Sequence, residues 1–189
     1  MTLFCRIAAL LAVLVLAVSC TKPATTELIL FDFESESELD LLQWNCHALY
    51  ALSDRHAVHG THSLRMDLFP SEYPGLEFSP TQKDWSKYST FSFDIYNPST
   101  SQMSLSIRID DNKNRTAFND RYNNRFVLKH GNNHISLPIN NMMTTGTNRL
   151  MDLTHIHTVY IFVPLPQYKQ TLYIDAIRVT NDHSPNPPR

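Results

Sequence analysis

Apolar and polar side chains alternate with a period of two along most of this chain, and that pattern limits the folds open to it. Every second residue of Thr90–Tyr96 is apolar, and the segment 104–110 repeats the pattern with Leu105, Ile107 and Ile109. Successive side chains of a β-strand point to opposite faces, so such a segment buries one face when it is extended. The two segments are therefore predicted to be strands with one face in a core.

The same pattern predicts further strands, separated by turn-forming Pro, Gly and Asn residues. These strands are Leu28–Glu34, Cys46–Leu52, Ser63–Phe69, Gly75–Phe78, Arg125–Lys129, His134–Pro138, Thr158–Val163 and Thr171–Val179. Ser35–Leu42 is predicted to be a loop or a single helical turn, and Pro80–Lys87 a loop. About ten short strands without a long helical segment predict an all-β domain, an antiparallel β-sandwich or a barrel.

The first residues have the composition of a secretory signal peptide. Arg6 precedes an apolar run, Ile7–Val18, which is shorter than the roughly 20 residues that a membrane-spanning helix needs. The run ends at Ala17-Val18-Ser19-Cys20, which resembles a bacterial lipobox with Ala in place of the usual Leu. We expect residues 1–19 to be removed and Cys20 to carry the lipid, with cleavage that leaves no lipid as the alternative.

This prediction organises the rest of the chain. Residues 20–26 would be a lipidated tether, 27–180 one domain and 181–189 a disordered, proline-rich tail. Cys46 would then be the sole thiol of the domain, so no internal disulfide forms.

The net charge of −2 and the pI near 6.5 argue against nucleic acid as a partner. We expect an exported protein, lipid-anchored to the cell envelope (the outer membrane in a Gram-negative cell) and facing the periplasm or cell surface; the oligomeric state stays open.

Short motifs in a fixed order carry a family resemblance. They are Phe31–Glu34, Val58–Leu64, Asp84–Tyr88, Phe93–Pro98, Gly131–Ile135 and Leu172–Arg178. With them the chain resembles the jelly-roll, galactose-binding-like domains typified by carbohydrate-binding modules. Arg108–Asp111 and Asn119–Asn123 resemble a subgroup found beside agarase-type glycosidases and in other bacterial envelope proteins. The resemblance implies a jelly-roll β-sandwich and a glycan as ligand.

The resemblance also implies a structural calcium ion that joins the first strand, the turn before the third strand and the last strand. Its ligands would be Glu34, Asp175 and carbonyl groups around Gly60–Ser63, with Asp32 as an addition. The strand period places Asp175 in phase with the apolar Ile177, and a buried carboxylate needs a metal or a polar partner. An arginine partner, or a cap on backbone N–H groups, is the alternative to calcium.

Polar and aromatic residues on two predicted strands and the loop beyond them suggest a sugar site. Sugar recognition needs flat aromatic rings together with planar polar side chains. The candidate residues are Asp94, Tyr96, Arg108, Asp110, Asp111, Arg121, Tyr122 and Asn123. The alternative is an ordinary solvated sheet face with Asp94–Arg108 as a cross-strand ion pair. Trp44 and Trp85 are further candidates, either as sugar platforms or as core residues.

Catalytic motifs are absent from the sequence. It has no nucleophile elbow, phosphate-binding loop or zinc-protease motif, and His56, His59 and His62 lack partners at zinc-ligand spacing. We therefore predict a non-catalytic glycan-binding module on a lipid anchor. The alternatives are a structural or scaffolding envelope lipoprotein that binds a protein partner, and a glycan hydrolase with a carboxylate pair such as Asp110 and Asp120.

Overall fold

Two antiparallel β-sheets make up the domain. The computed structural model describes residues 26–43, 47–114 and 117–181. The predicted signal peptide, Cys20, Trp44 and the tail beyond Asn181 lie outside these ranges. No helix within them is both long and apolar enough to cross a membrane.

The strands follow the predicted alternation closely. They are β1 Thr26–Phe31, β2 Leu42–Gln43, β3 Ala48–Ser53, β4 Ser63–Leu68, β5 Gly75–Phe78, β6 Thr90–Asn97, β7 Met103–Asp110, β8 Tyr122–Leu128, β9 Gly131–Pro138, β10 Thr158–Phe162 and β11 Gln170–Asn181. Short 3-10 helices span Glu36–Leu41, Phe118–Asp120 and Leu153–His155. The acidic segment predicted to be a loop or a helical turn is thus a 3-10 helix. The strand β2 was not predicted, because two residues are too few to show an alternation of apolar and polar side chains.

The six-stranded sheet has the order β3-β4-β11-β6-β9, and β1 also pairs with β11. The first half of β11 pairs with β4, while its second half pairs with β1 from Thr26 opposite Asn181 onward. The five-stranded sheet has the order β2-β5-β10-β7-β8. The predicted antiparallel β-sandwich is confirmed.

The inward faces of both sheets form one apolar core. Leu105, Ile107 and Ile109 of β7 are almost fully buried, as their alternation predicts. Trp85, in the predicted loop before β6, is fully buried as well; its ring stacks on Phe91 at 5.3 Å between centroids. Its indole N–H donates to the Gln82 carbonyl. Trp85 is therefore a core residue and not a sugar platform.

A β-bulge in β11 overturns one prediction. Pairing with β6 shifts register between Asp175 and Arg178, and Ala176 has a left-handed φ of 50°. The bulge inserts a residue, so Ile174 and Ile177 both face the core and Asp175 faces away from it. The prediction that Asp175 and Ile177 share a face is wrong, because a strict period of two has no place for an extra residue.

We expect Trp85→Ala to lower the free energy of unfolding by about 3–5 kcal/mol, because it removes a large buried ring and leaves a cavity. Urea unfolding followed by circular dichroism measures the loss. The control is Tyr168→Ala, whose ring is 78% exposed and should change stability by less than about 0.5 kcal/mol. Similar losses in the two variants would contradict the core role of Trp85.

Candidate ligand-binding groove

The structure separates the residues predicted to form one sugar site. Asp94 and Tyr96 are on β6 in the six-stranded sheet, whereas Arg108 and Asp110 are on β7 in the five-stranded sheet. The predicted contiguous cluster is therefore wrong, and so is the alternative Asp94–Arg108 cross-strand pair. The chain crosses from one sheet to the other between β6 and β7, so these two strands are consecutive in sequence but are not neighbours in a sheet.

Asp94 and Tyr96 lie beside a cavity of about 280 Å³ on the outer face of the six-stranded sheet. Asp94 is 2.8 Å from Nδ1 of His134 and accepts a hydrogen bond from Arg178. The His56 ring stacks on Tyr96 with 3.5 Å between centroids and an interplanar angle of 11°. Burial lowers the pKa of His56, which favours the neutral ring. One face of Tyr96 is thus already covered and is closed to a sugar.

Asp110 and Asp111, two of the residues predicted to bind sugar, form ion pairs with arginines. Arg108 donates to both carboxylate oxygens of Asp110, at 2.7 and 3.1 Å, and Asp110 is only 2% exposed. Asp111 accepts two hydrogen bonds from Arg149 and one from the backbone N–H of Asp152. Burial raises the pKa of Asp111, but these hydrogen bonds outweigh it and hold the pKa below its usual value. Both carboxylates are therefore occupied by contacts within the protein: Asp110 with Arg108 on its own strand, and Asp111 with the segment of Arg149 and Asp152.

The last three predicted residues lie at the start of β8 and differ in role. The Arg121 guanidinium is 5.1 Å from the Phe118 ring centroid. Tyr122 packs against the core, and burial raises its pKa. Asn123 points outward, and its side-chain amide donates to the Phe118 carbonyl. Of the eight predicted residues, Asn123 is the one that lines the groove described next.

A groove of about 350 Å³ crosses the outer face of the five-stranded sheet. We call it the aromatic groove. Its lining residues are Tyr73, Ser106, Ile107, Phe118, Asn123, Asn124, Arg125, Phe162 and Pro164.

The register of three adjacent strands explains the groove. Phe162 of β10 is opposite Ser106 of β7, which is in turn opposite Arg125 of β8. Residues paired across antiparallel strands point to the same face, so these three side chains form one outward row. The small Ser106 between two large side chains leaves a depression. On the other side of Phe162 lies Gly75, where any Cβ would meet the backbone of β10.

Aromatic rings border this row. Tyr73 is 53% exposed and contacts Phe162 edge-on at 5.4 Å between centroids. The ring centroid of Tyr160 lies 4.8 Å from that of Phe162, on the same face of the strand. Phe118, 65% exposed, lines the groove together with Asn123. The groove therefore offers both surfaces that a sugar needs, flat apolar rings and planar polar groups.

The aromatic residues of this groove are not among the site residues predicted from the sequence. Tyr160 and Phe162 are on the solvent-facing side of their strand, where side chains are normally polar. Two aromatic residues two positions apart on this side could have indicated the groove from the sequence. Tyr73 gives no such signal in the sequence, because the following Pro74 and Gly75 indicate a turn.

Two carboxylates predicted to bind calcium hold the loop of residues 58–62, called the 58–62 loop. Glu34 accepts hydrogen bonds from the backbone N–H groups of Thr61 and His62, at 2.8 and 2.6 Å. These bonds, with one from the Thr61 hydroxyl, lower the pKa of Glu34 to about 2. Asp175 accepts from the N–H groups of Val58 and His59. The loop is thus tied to both β11 and the segment after β1.

Asp175 also accepts from the N–H of Ala176 in the bulge, and burial raises its pKa. The alternative in which Asp175 caps backbone N–H groups therefore describes its contacts. A calcium ion takes oxygen ligands, whereas the loop directs backbone N–H donors at these two carboxylates. No three His, Cys, Asp or Glu side chains are grouped for a metal within residues 26–43, 47–114 and 117–181. Calcium at Asp32, Glu34 and Asp175 stays a prediction.

The Glu34 contacts predict a pH-dependent loss of stability. A carboxylate with a lowered pKa in the folded state stabilises the protein above its ordinary pKa of 4.5, and this contribution is lost as the pH falls through about 2. We expect Glu34→Gln to lower Tm at neutral pH, and the difference from wild type to vanish towards pH 2. Thermal melts across this range test it. Glu36→Gln, on the adjacent 3-10 helix, is the control; a Tm difference independent of pH would contradict the role of the charge.

The β-sandwich fold of this domain also occurs in solved structures of carbohydrate-binding modules and of glycosidases. A structure of an exo-β-agarase superposes with a TM-score of 0.62 and 17% identity over 85% of this chain and 26% of that chain. The family 11 carbohydrate-binding module from Clostridium thermocellum, in complex with a β-1,3-1,4-mixed-linked tetrasaccharide, superposes with a TM-score of 0.58 and 16% identity. That match covers 82% of this chain and 95% of the module.

The two matches differ in extent. The chain spans about a quarter of the agarase and nearly the whole of the isolated module. No family model and no curated protein sequence matches the chain. The likeness is therefore one of fold, and the predicted carbohydrate-binding-module-like architecture is confirmed at that level.

Proposed function

We propose that this protein binds a glycan in the aromatic groove and does not cleave it. The observation that carries the proposal is the outward row of Phe162, Ser106 and Arg125, bordered by the exposed rings of Tyr73 and Phe118. Aromatic rings stack on the C–H faces of sugars, while amide and guanidinium groups bond to hydroxyls. The shared fold with a module solved in complex with a tetrasaccharide supports the proposal.

The size of the groove sets the length of glycan that it holds. A volume of about 350 Å³ is near the lower end of the range for ligand sites, about 300–1,000 Å³. The groove is open to solvent along the sheet, since its rings are exposed. A short stretch of a longer polysaccharide fits this shape.

The charged groups on this face support binding over catalysis. Glycoside cleavage ordinarily needs two carboxyl groups that flank the scissile bond. The described residues that line the groove include no Asp or Glu. Of the carboxylate pair considered earlier, Asp110 is bonded to Arg108 and Asp120 to Arg149.

We expect Phe162→Ala and Tyr73→Ala each to weaken glycan binding about 2- to 12-fold, the range for one aromatic contact. A glycan array selects the ligand, and affinity gel electrophoresis then measures retention. Tyr168→Ala is the matched control, since Tyr168 is a more exposed aromatic residue outside the groove. Equal retention of all four proteins would rule out the groove, and release of reducing ends from the glycan would show a hydrolase.

We further propose that Cys20 anchors the domain to a membrane, on the support of the lipobox-like sequence that ends there. Several acyl chains on one residue give firm attachment, because each buried CH₂ contributes about 0.8 kcal/mol. Intact mass spectrometry of protein from the membrane fraction should show a chain that begins at Cys20 and carries acyl groups. Cys20→Ala should move the protein to the soluble fraction; membrane retention of that variant would refute the anchor.

A further inference from the structure

The aromatic groove carries an unbalanced positive charge. Arg125 is the only charged side chain among the described residues that line it, and Arg125 is exposed. No ion pair joins its guanidinium to another residue within the described ranges. An arginine is charged at every physiological pH, so the groove presents one net positive charge to any ligand.

Most arginines of the described residues are placed differently. Arg65, Arg108, Arg149 and Arg178 each form an ion pair with a carboxylate of the protein. Arg55 and Arg121 instead lie over aromatic rings, those of Tyr173 and Phe118. Among the described residues, Arg125 has neither kind of partner.

Strand geometry places this charge at a useful distance from the stacking ring. Phe162 and Arg125 are separated by β7, and two strand spacings amount to about 10 Å. Ser106, between them, has a short side chain that leaves the path open. The guanidinium is therefore within reach of a substituent on a sugar ring that stacks on Phe162.

Two carboxylates described on the same outer face are not placed to pair with Arg125. On the same outer face, Asp110 is held by both nitrogens of the Arg108 fork. Glu77 is opposite Tyr160, which is opposite Arg108, so Glu77 belongs to the neighbouring row of side chains. The guanidinium is left for an anionic group, and it binds carboxylate and sulfate oxygens in pairs.

We propose that the aromatic groove selects an acidic glycan, one whose sugar unit on Phe162 carries a carboxylate or a sulfate ester that pairs with Arg125. This inference rests on the proposed glycan binding and specifies its ligand class. Neutral glycans still stack on the rings, but they leave the guanidinium without a counter-charge. Affinity for the acidic ligand falls as salt rises, because the pair is exposed to solvent.

Matched polysaccharides test the proposal. One pair is polygalacturonate and its methyl ester; the other is a sulfated galactan and its chemically desulfated form. Affinity gel electrophoresis at low salt should show about 2- to 5-fold tighter binding to the acidic member of one pair, the range for an exposed ion pair. The pair of polysaccharides that responds distinguishes a carboxylate from a sulfate. Arg125→Gln should abolish the preference, because binding to the acidic member falls much further than binding to the neutral member, and Arg125→Lys should keep part of the preference.

Lys129→Gln is the matched control, because Lys129 is an exposed cation just beyond β8 and outside the groove. It removes the same charge and should leave the preference intact. Equal binding to both members of each pair, with loss in Phe162→Ala, would overturn the acidic ligand and keep glycan binding. A preference that survives in Arg125→Gln would overturn the role of Arg125, and a failure to bind any glycan would overturn both proposals.

Discussion

The hydrogen-bonded pairing of β11 with three other strands is the interaction on which this domain depends. One edge of β11 pairs first with β4 and then with β1, and the other edge pairs with β6. Strands from the beginning, middle and end of the domain are thus joined through one central strand. The bulge at Ala176 lets this strand keep apolar side chains on the core at both of its ends while Asp175 turns outward to hold the 58–62 loop.

Much of the fold was predictable because strand burial leaves a direct trace in sequence. Leu105, Ile107 and Ile109 alternate with polar residues, and they lie in the core as that alternation requires. The sheet to which each strand belongs leaves no such trace, since hydrogen-bond partners are set by long-range packing. For this reason Asp94 and Arg108 were predicted to be neighbours and are found in different sheets.

The candidate site was less predictable than the fold for a related reason. A groove forms where side chains from several strands come into one row, and that row depends on the register of β10, β7 and β8. Sequence showed polar residues near the site, and of these Asn123 lines the groove. It did not show that Asp110 and Asp111 would be neutralised by Arg108 and Arg149, because those pairs depend on side-chain geometry.

The pairing of Thr26 with Asn181 has a consequence for how the domain would sit on a membrane. An extended chain advances at most about 3.6 Å per residue, so the six steps from Cys20 to Thr26 reach no further than about 22 Å. If Cys20 carries the lipid, the corner of the sandwich where β1 begins stays within that distance of the bilayer. A domain attached in this way would contact its ligand close to the bilayer surface.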